Sequence, residues 1–215
     1  MIKLWNYFRS GTSHRVRIAL NFKGVEWQYQ PLNFLTQQHK EKAYLDLNPQ
    51  GLAPAIEIDG AVLFQSPAII EYLEERFPEP PLLPGDAISR AKVRAMAMLI
   101  GCDIHPLNNL RVLNEVKALT GQDAPPLDWI AHWVAEGFSA LETLLSRDDS
   151  RHPDVCFGTT PGLVECYLIP QVYAANRFKV DMTPYPLIRQ IDQACSKLAA
   201  FQKAHPDIQP DAPGK

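Results

Sequence analysis

Apolar positions in the first part of the chain recur in short runs separated by polar stretches. Ile2 and Leu4 predict a short opening strand, and residues 27–31 predict a second strand. Between them, residues 16–22 carry apolar side chains at helical spacing, and Gly24 follows as the residue that ends the helix. A strand, a helix and a strand within about thirty residues predict a βαβ unit, in which the two strands are parallel.

A β-hairpin is predicted over residues 52–64. The dipeptide Asp59-Gly60 lies between its two strands and strongly prefers the type I′ turn. Pro54 stands at the head of the first hairpin strand, a position that tolerates proline and admits a cis peptide bond. A helix follows, with Ser66 expected as its N-cap and Pro67 at its first helical position. The polar stretch before the hairpin predicts a loop with a short helix.

The remainder of the chain is predicted to be helical. Prolines between residues 78 and 85 mark the best domain boundary. We therefore expect a first domain at residues 1–80, a linker at 81–86 and a helical domain at 87–215. The expected helical elements are a helix at 87–118 kinked by Pro106, a helix opened by Pro125-Pro126 and ended near Leu145, a central apolar helix at 163–175, one or two helices at 184–201, and a tail in the last ten residues.

Composition and charge argue against several functions. The net charge of −3 and the pI near 6.1 argue against a nucleic-acid binder, which normally presents a basic face. No apolar run approaches the ~20 residues of a membrane span, and the first residues lack the apolar core of a signal peptide. The four cysteines share no metal or redox spacing, so we expect reduced thiols, no metal site and a cytoplasmic location.

The candidate chemistry lies where the first strand runs into the first helix. Unpaired N–H groups and the positive end of the helix dipole make such an N-terminus a natural anion site. Ser10, Thr12 and Ser13 surround it with hydroxyl groups, and Arg9 and Arg15 add positive charge. Thr12 or Ser13 is expected to be the N-cap of the helix. The site can hold a thiolate, a phosphate or a carboxylate. Because the first cysteine in the chain is Cys102, a thiolate bound here would arrive on a ligand.

Two further positions can converge on this N-terminus. The backbone of Ala53, before Pro54, can pair with a peptide-like ligand as an added strand, or it can form a rigid turn without a ligand role. Gln65-Ser66 opens a second helix N-terminus that suits a carboxylate, or it is a plain cap. Each feature is weak by itself. Their joint occurrence within one small domain favours a binding site.

Residues 10–20 resemble the signature of the zeta class of glutathione transferases, whose usual form is Ser-Ser-Cys-x-x-Arg-Val-Arg-Ile-Ala-Leu. The likeness covers nearly the whole chain. It implies an α/β thioredoxin-like N-terminal domain followed by an all-α C-terminal helical domain. Further segments that match the class are Asn48-Pro49, Ala53-Pro54, residues 65–73, Leu82-Leu83-Pro84, residues 168–172, Arg177-Phe178, residues 182–186 and Gln209-Pro210-Asp211.

The resemblance implies glutathione as the cofactor, a small dicarboxylic keto acid as the substrate, and a homodimer. Zeta enzymes isomerise maleylacetoacetate, and a bacterial branch isomerises maleylpyruvate, in the breakdown of aromatic compounds. A thiolate adds to the cis double bond, the bond rotates, and the thiolate leaves. Ser10 and Thr12 would keep the thiol ionised, while Arg9 and Arg177 would hold the substrate and its developing charge. The implied glutathione-binding positions are Ser10, Gly11, Thr12, His39, Ala53, Gln65, Ser66, His105, Asn109 and Arg111.

Several of these residues have structural alternatives. Arg9 can be a surface residue, Arg177 can satisfy carbonyls at a helix C-terminus, and His105 can be a satisfied core group. The wider alternatives are a general transferase that conjugates or dehalogenates small electrophiles, and a non-catalytic transferase-like binding module. Thiol–disulfide exchange would need a cysteine at the first helix N-terminus, and the sequence has none there.

The sequence departs from the class pattern in two places. Ser10-Gly11-Thr12 stands where the class has Ser-Ser-Cys, and this segment, like residues 101–109, looks more like the maleylpyruvate branch. In the predicted central helix the capping box of the class is reduced to Gly162 and Glu165, so only its return half is expected.

Overall fold

The computed structural model of the chain describes residues 1–121, 123 and 126–215. These residues form two compact units, Met1–Leu82 with Lys197–Lys215, and Leu83–Ser196. The first boundary lies inside the predicted linker. Residues 197–215, however, group with the first unit and not with the helical domain in which the sequence analysis put them. Their hydrogen bonds explain the difference, since the side chains of Arg17 and Asn21 donate to backbone carbonyls of this segment.

The first unit is built on a four-stranded mixed sheet. The strands are β1 (Ile2–Asn6), β2 (Trp27–Pro31), β3 (Ala55–Ile58) and β4 (Ala61–Phe64), in the order β2-β1-β3-β4. The predicted βαβ unit is confirmed, because β1 and β2 are parallel. The hairpin β3–β4 is antiparallel, and its turn residues Asp59 and Gly60 have φ values of 50° and 79°, as the predicted type I′ turn requires.

Helices cover this sheet. Helix α1 (Gly11–Phe22) ends with Gly24 at a φ of 65°, which is the predicted glycine stop. The predicted short helix is α2 (Lys42–Leu45), and α3 (Ser66–Arg76) follows the hairpin. The C-terminal segment adds α9 (Ala199–Ala204), which packs against α1. Its last residues are not a loose tail, because Gln209 and Ala212 are buried.

A buried ion pair fixes the chain as it leaves α3. Lys23 Nζ lies 2.8 Å from the Glu74 carboxylate and donates to the carbonyls of Phe77 and Pro80. Glu74 also accepts the N–H of Leu82 at 3.0 Å. Because both charges have additional hydrogen-bond partners, the penalty of burying them is offset, and the proline-rich segment is tied to the first unit.

The second unit is helical. Its central helix is α7 (Leu163–Arg177), of which eleven of fifteen residues are buried. The Glu165 carboxylate in its first turn accepts the N–H groups of Gly162 at 2.7 Å and Cys156 at 2.6 Å, so the return half of the capping box is present. The other helices of this unit are α4 (Ala87–Met98), α5 (Leu110–Thr120), α6 (Leu127–Ser146) and α8 (Pro186–Cys195).

The single kinked helix predicted for residues 87–118 is wrong. After α4 the chain makes a π-helical segment at Leu99–Ile104 and turns at residues 105–109 before α5 begins. Pro106 therefore lies in a break between two helices and not in a kink. Pro126 directly precedes α6, while Pro125 lies outside the described residues.

The π-helical segment depends on a close approach to α6. A Cβ added at Gly137 would lie well inside van der Waals contact with Cδ1 and Cγ1 of Ile104, and 3.2 Å from Leu99 Cδ2. Gly137 and Ile104 are both buried. The absence of a side chain at Gly137 is therefore what lets the wider π turn pack against α6.

We expect Gly137→Ala to destabilise the second unit by about 1–3 kcal/mol, because overpacking outweighs the better helix propensity of alanine. The measurement is denaturant unfolding, with Ser139→Ala, an exposed site on the same helix, as the matched control. The double variant Gly137→Ala/Ile104→Val also shortens the side chain that the new methyl group would meet. Its loss of unfolding free energy should be smaller than the sum of the losses in the two single variants. A Gly137→Ala protein as stable as the original would contradict this packing argument.

Candidate active site

The N-terminus of α1 is capped by Ser10, and not by Thr12 or Ser13 as the sequence analysis expected. The Ser10 Oγ accepts the N–H of Ser13 at 3.2 Å, and the Ser10 backbone is extended, with φ −68° and ψ 120°. The first N–H groups of a helix have no intrahelical acceptor. Among the described residues, the Ser10 side chain takes only the one from Ser13, which leaves the N–H groups of Gly11 and Thr12 available to an anion.

The hydroxyl groups of Ser10 and Thr12 form a directed pair. Thr12 Oγ1 donates its only proton to the carbonyl of Ala53 at 2.9 Å. In the 2.9 Å contact between Ser10 Oγ and Thr12 Oγ1, the donor must therefore be Ser10. Ser10 can turn its proton to a bound anion and still accept from Ser13. Thr12 could do so only by leaving the Ala53 carbonyl, so Ser10 is the better donor.

The Ala53-Pro54 peptide bond is cis, as the sequence analysis allowed. The segment before it is held by two buried side chains, since Tyr44 Oη and Asn48 Nδ2 donate to the Leu52 carbonyl at 2.6 and 2.7 Å. Burial raises the pKa of Tyr44 to about 12, so this phenol keeps its proton and remains the donor. Ala53 is thereby fixed beside Thr12, with its backbone edge joined to the N-terminus of α1.

The start of α3 differs by one residue from the prediction. Gln65, with φ 70°, is the N-cap position, and Ser66 is the first helical residue instead of the cap. The Gln65 amide donates to Gln50 at 2.6 Å. The Ser66 hydroxyl oxygen is buried and has no hydrogen-bond partner among the described residues. A second helix N-terminus therefore carries a buried hydroxyl that a ligand could satisfy.

Aromatic contacts connect His39 to the turn before α1. The His39 ring stacks on Phe34 at 4.0 Å and 8°, and Phe34 stacks on Tyr7 at 5.1 Å. Burial, followed by the charge of Lys40, lowers the pKa of His39, so its neutral form is favoured. His39 Nδ1 is buried without a hydrogen-bond partner among the described residues.

Arg9 directly precedes the N-cap and is exposed. Its guanidinium carbon lies 5.5 Å from the centre of the Phe8 ring and 6.0 Å from that of Tyr7. These distances fit cation–π contacts, which leave the N–H groups at the guanidinium edge able to bind a carboxylate.

The second unit carries the other four predicted residues. His105 follows the π-helical segment, and Asn109 caps α5 by accepting the N–H of Arg111 at 3.2 Å. Arg177 is the last residue of α7, is exposed, and holds its guanidinium 4.1 Å from the centre of the Phe178 ring. Within this unit, His105, Asn109 and Arg111 lie on one short segment, whereas Arg177 belongs to another element.

Two residues near the site were not recognised as functional candidates from the sequence. Arg17 donates to the Phe8 carbonyl at 2.8 Å, and Asp211, in the expected tail, accepts the Phe8 N–H at 3.0 Å. Both act on the residue two positions before Ser10. The only sequence signal was that each lies in a segment matching the zeta pattern.

No group of three or more metal-ligating side chains occurs within residues 1–121, 123 and 126–215. Over the same residues, no helix has the length and apolar character needed to span a bilayer.

Comparison with known proteins identifies the family. The glutathione S-transferase N-terminal domain family matches residues 9–76. A maleylpyruvate isomerase of Ralstonia sp. is 51% identical over 98% of this chain and 100% of that protein. A maleylacetoacetate isomerase of Pseudomonas aeruginosa is 47% identical over 99% of both chains. A solved maleylpyruvate isomerase described as a zeta-class bacterial glutathione S-transferase has a TM-score of 0.95, with 52% identity over 98% of this chain and 99% of that one.

The chain belongs to the zeta class of glutathione S-transferases. A second solved structure, the maleylacetoacetate isomerase of Anaeromyxobacter dehalogenans with glutathione bound in its active site, has a TM-score of 0.87 and 40% identity over 99% of this chain and 98% of that one. The predicted fold is thus confirmed, with a thioredoxin-like α/β N-terminal region and a helical C-terminal region.

For this zeta-class chain, the hydroxyl geometry predicts unequal roles for Ser10 and Thr12. Ser10→Ala should raise the pKa of a thiol bound at α1 by about 1–2 units, because a hydrogen bond to a charged group is worth about 1.5–3 kcal/mol. Thr12→Val should raise it less. The measurement is the ultraviolet titration of the thiolate of glutathione bound to each variant.

A control separates the hydroxyl from the helix cap. Ser10→Gly costs only a few tenths of a kcal/mol of capping relative to serine, whereas Ser10→Ala costs about 1 kcal/mol. Both variants should show the same thiol pKa if the hydroxyl is what matters. A larger shift in Thr12→Val than in either Ser10 variant would reverse our assignment of the donor.

Proposed function

We propose that this chain is a glutathione-dependent cis–trans isomerase of a maleyl keto acid, either maleylpyruvate or maleylacetoacetate, in the catabolism of aromatic compounds. The observation that carries the proposal is the anion site at α1, where the Ser10 hydroxyl and the N–H groups of Gly11 and Thr12 lie together without a protein thiol. Relatives with isomerase names at 47–51% identity support the same reaction.

Glutathione fits three features of the first unit. Its thiol sulfur suits the N-terminus of α1, and its peptide backbone suits the edge of Ala53. One of its carboxylates suits the N-terminus of α3, where the buried Ser66 hydroxyl has no partner among the described residues. Gln65 lies at the start of α3, and His39 stacks on Phe34. Both would contact the rest of the tripeptide.

When bound, glutathione supplies a thiolate that adds reversibly to the conjugated double bond of the substrate and leaves after rotation about that bond. The chain has to hold this sulfur in its ionised form. The Ser10 hydroxyl donates to it, assisted by the N–H groups of Gly11 and Thr12 and the dipole of α1. Thr12 stays bonded to Ala53, so its proton does not compete for the sulfur.

The substrate carries two carboxylates, and the chain has to neutralise them together with the charge that develops on the keto oxygen. Arg9 and Arg177 take these roles in the proposal, because a guanidinium grips a carboxylate through two parallel hydrogen bonds. Each guanidinium lies over an aromatic ring, which restricts the side chain.

The remaining assignments belong to the same proposal. The thioredoxin-like unit binds glutathione, and the helical unit supplies His105, Asn109 and Arg111 to it along with the substrate contacts. Because Asn109 Oδ1 already accepts the Arg111 N–H, the Nδ2 of its side chain is the donor left for a ligand. We further propose a cytoplasmic location and a homodimer, in keeping with the class.

The experiment that tests the isomerase against a general transferase is Arg177→Met. This change removes the charge and keeps much of the apolar stem. It should lower kcat/KM for the maleyl substrates by about tenfold or more, which corresponds to at least ~1.4 kcal/mol of transition-state stabilisation. Conjugation of the neutral electrophile chlorodinitrobenzene should change little, since that reaction needs only the thiolate.

Arg9→Met should behave like Arg177→Met, and Arg147→Met, at an exposed arginine after α6, is the matched control that should leave both reactions unchanged. Rates are compared at equal folded protein and saturating glutathione. If Arg177→Met slows both reactions equally, the arginine supports the fold or glutathione binding. The proposed substrate recognition would then be wrong.

A further inference from the structure

The C-terminal segment holds the turn that leads into α1. Asp211 Oδ2 accepts the N–H of Phe8 at 3.0 Å, and the hydroxyl of Tyr29 donates to Oδ1 of the same carboxylate. Burial, then the bond to Asp211, raises the pKa of Tyr29, so the phenol keeps its proton. Both oxygens of Asp211 are therefore used as acceptors, and its position is fixed from two sides.

Arg17 holds the other side of the same residue. This side chain is fully buried, and its Nη2 donates to the Phe8 carbonyl at 2.8 Å. Its Nη1 donates to Asn6 Oδ1 at 2.9 Å, and its Nε donates to the carbonyl of Ala204 in the C-terminal segment at 3.0 Å. The N–H and the C=O of Phe8 are thus each bonded to a charged side chain.

The position of Phe8 affects two candidate catalytic residues, because Arg9 and Ser10 follow it directly in the chain. The Ser10 N–H donates to the Tyr7 carbonyl at 3.0 Å, and Arg17 Nη1 approaches the same carbonyl at 3.4 Å. The guanidinium of Arg9 lies against the Phe8 ring. A shift of the Phe8 backbone would therefore move both the Ser10 hydroxyl and the Arg9 guanidinium.

We propose that Asp211 is a positioning residue, which acts with Arg17 through the Phe8 backbone to set the places of Ser10 and Arg9, so that the C-terminal segment completes the active site. The proposal rests on the proposed function, since it assigns a purpose to Ser10 and Arg9. It adds a residue about two hundred positions away in sequence to the machinery of the first unit.

The main test is Asp211→Ala. In the absence of ligand, hydrogen exchange of the Phe8 amide should become at least about tenfold faster, because its acceptor is gone. With glutathione bound, the thiol pKa should rise. kcat/KM at neutral pH should fall about tenfold, less than the roughly hundredfold that a misplacement of about 1 Å can cost. The difference in kcat/KM between Asp211→Ala and the original protein should become smaller at alkaline pH, where the bound thiol ionises even with a raised pKa.

Three variants separate positioning from stability. Asp211→Asn can keep an oxygen towards the Phe8 N–H and donate to Tyr29, so its kcat/KM should stay within about threefold of that of the original protein. Tyr29→Phe removes one hydrogen bond to Asp211 and should change the thiol pKa and kcat/KM only slightly. Asn21→Ala removes the 3.3 Å bond to the Ala200 carbonyl, which tethers the same segment away from the site. It should lower stability without moving the thiol pKa.

The proposal is overturned if Asp211→Ala, measured per folded molecule, keeps the original thiol pKa and pH profile, or if Asn21→Ala shifts them equally. Should Asp211→Ala not fold, Asp211→Glu misplaces both acceptors while keeping the charge, and the same direction of change is expected from it. The thiolate titration needs only bound glutathione. Failure of the unaltered protein to isomerise maleyl acids would therefore reject the proposed function and leave this test valid.

Discussion

The hydrogen bond from Thr12 to the Ala53 carbonyl is the interaction on which the arrangement of the site depends. It joins the N-terminus of α1 to the loop that ends in the cis proline, and it uses the only proton of Thr12. The Ser10 proton is then the one that can turn to a ligand. The two hydroxyl groups look equivalent in the sequence, but only one of them can donate to a ligand without breaking the bond between α1 and the cis-proline loop.

Residues around the turn before α1 also serve both the packing of the core and the geometry of the site. Phe8 contributes an apolar ring to the core and a platform to Arg9, while its backbone is held by Arg17 and Asp211. Buried charges are costly unless their hydrogen-bonding groups are satisfied. For the buried Arg17, that requirement is met by backbone carbonyls, one of them next to the site. The bonds that make its burial tolerable therefore also restrict the geometry of the site.

Local signals predicted much of the first unit. Asp59-Gly60 specified its turn type by itself, because this preference acts within two residues. The cap of α1 was misplaced by two or three residues, since several neighbouring hydroxyl side chains could serve as the cap and only the backbone conformation selects Ser10. The π-helical segment after α4 was missed because it packs closely on Gly137, which is distant in sequence and leaves room for Ile104. Likewise, the prolines after residue 205 suggested a free tail, whereas the partner of Asp211 lies at the other end of the chain.

The family and the candidate residues followed from the sequence, but the direction of the hydroxyl protons did not, since it requires knowing that the Ala53 carbonyl faces Thr12. The role of Arg177 is still a prediction, because it concerns a bound substrate. The ion pair of Lys23 and Glu74 was likewise invisible, as its two residues lie in separate helical segments that only the folded first unit brings together.

The most direct test of the central claim is to follow glutathione during turnover of a maleyl keto acid by the purified, unaltered protein. If the site holds a thiolate that adds and then leaves, isomerisation should require added glutathione, and all of it should be recovered as the free thiol after many turnovers. Turnover without any added thiol, or consumption of one glutathione for each substrate converted, would contradict the account.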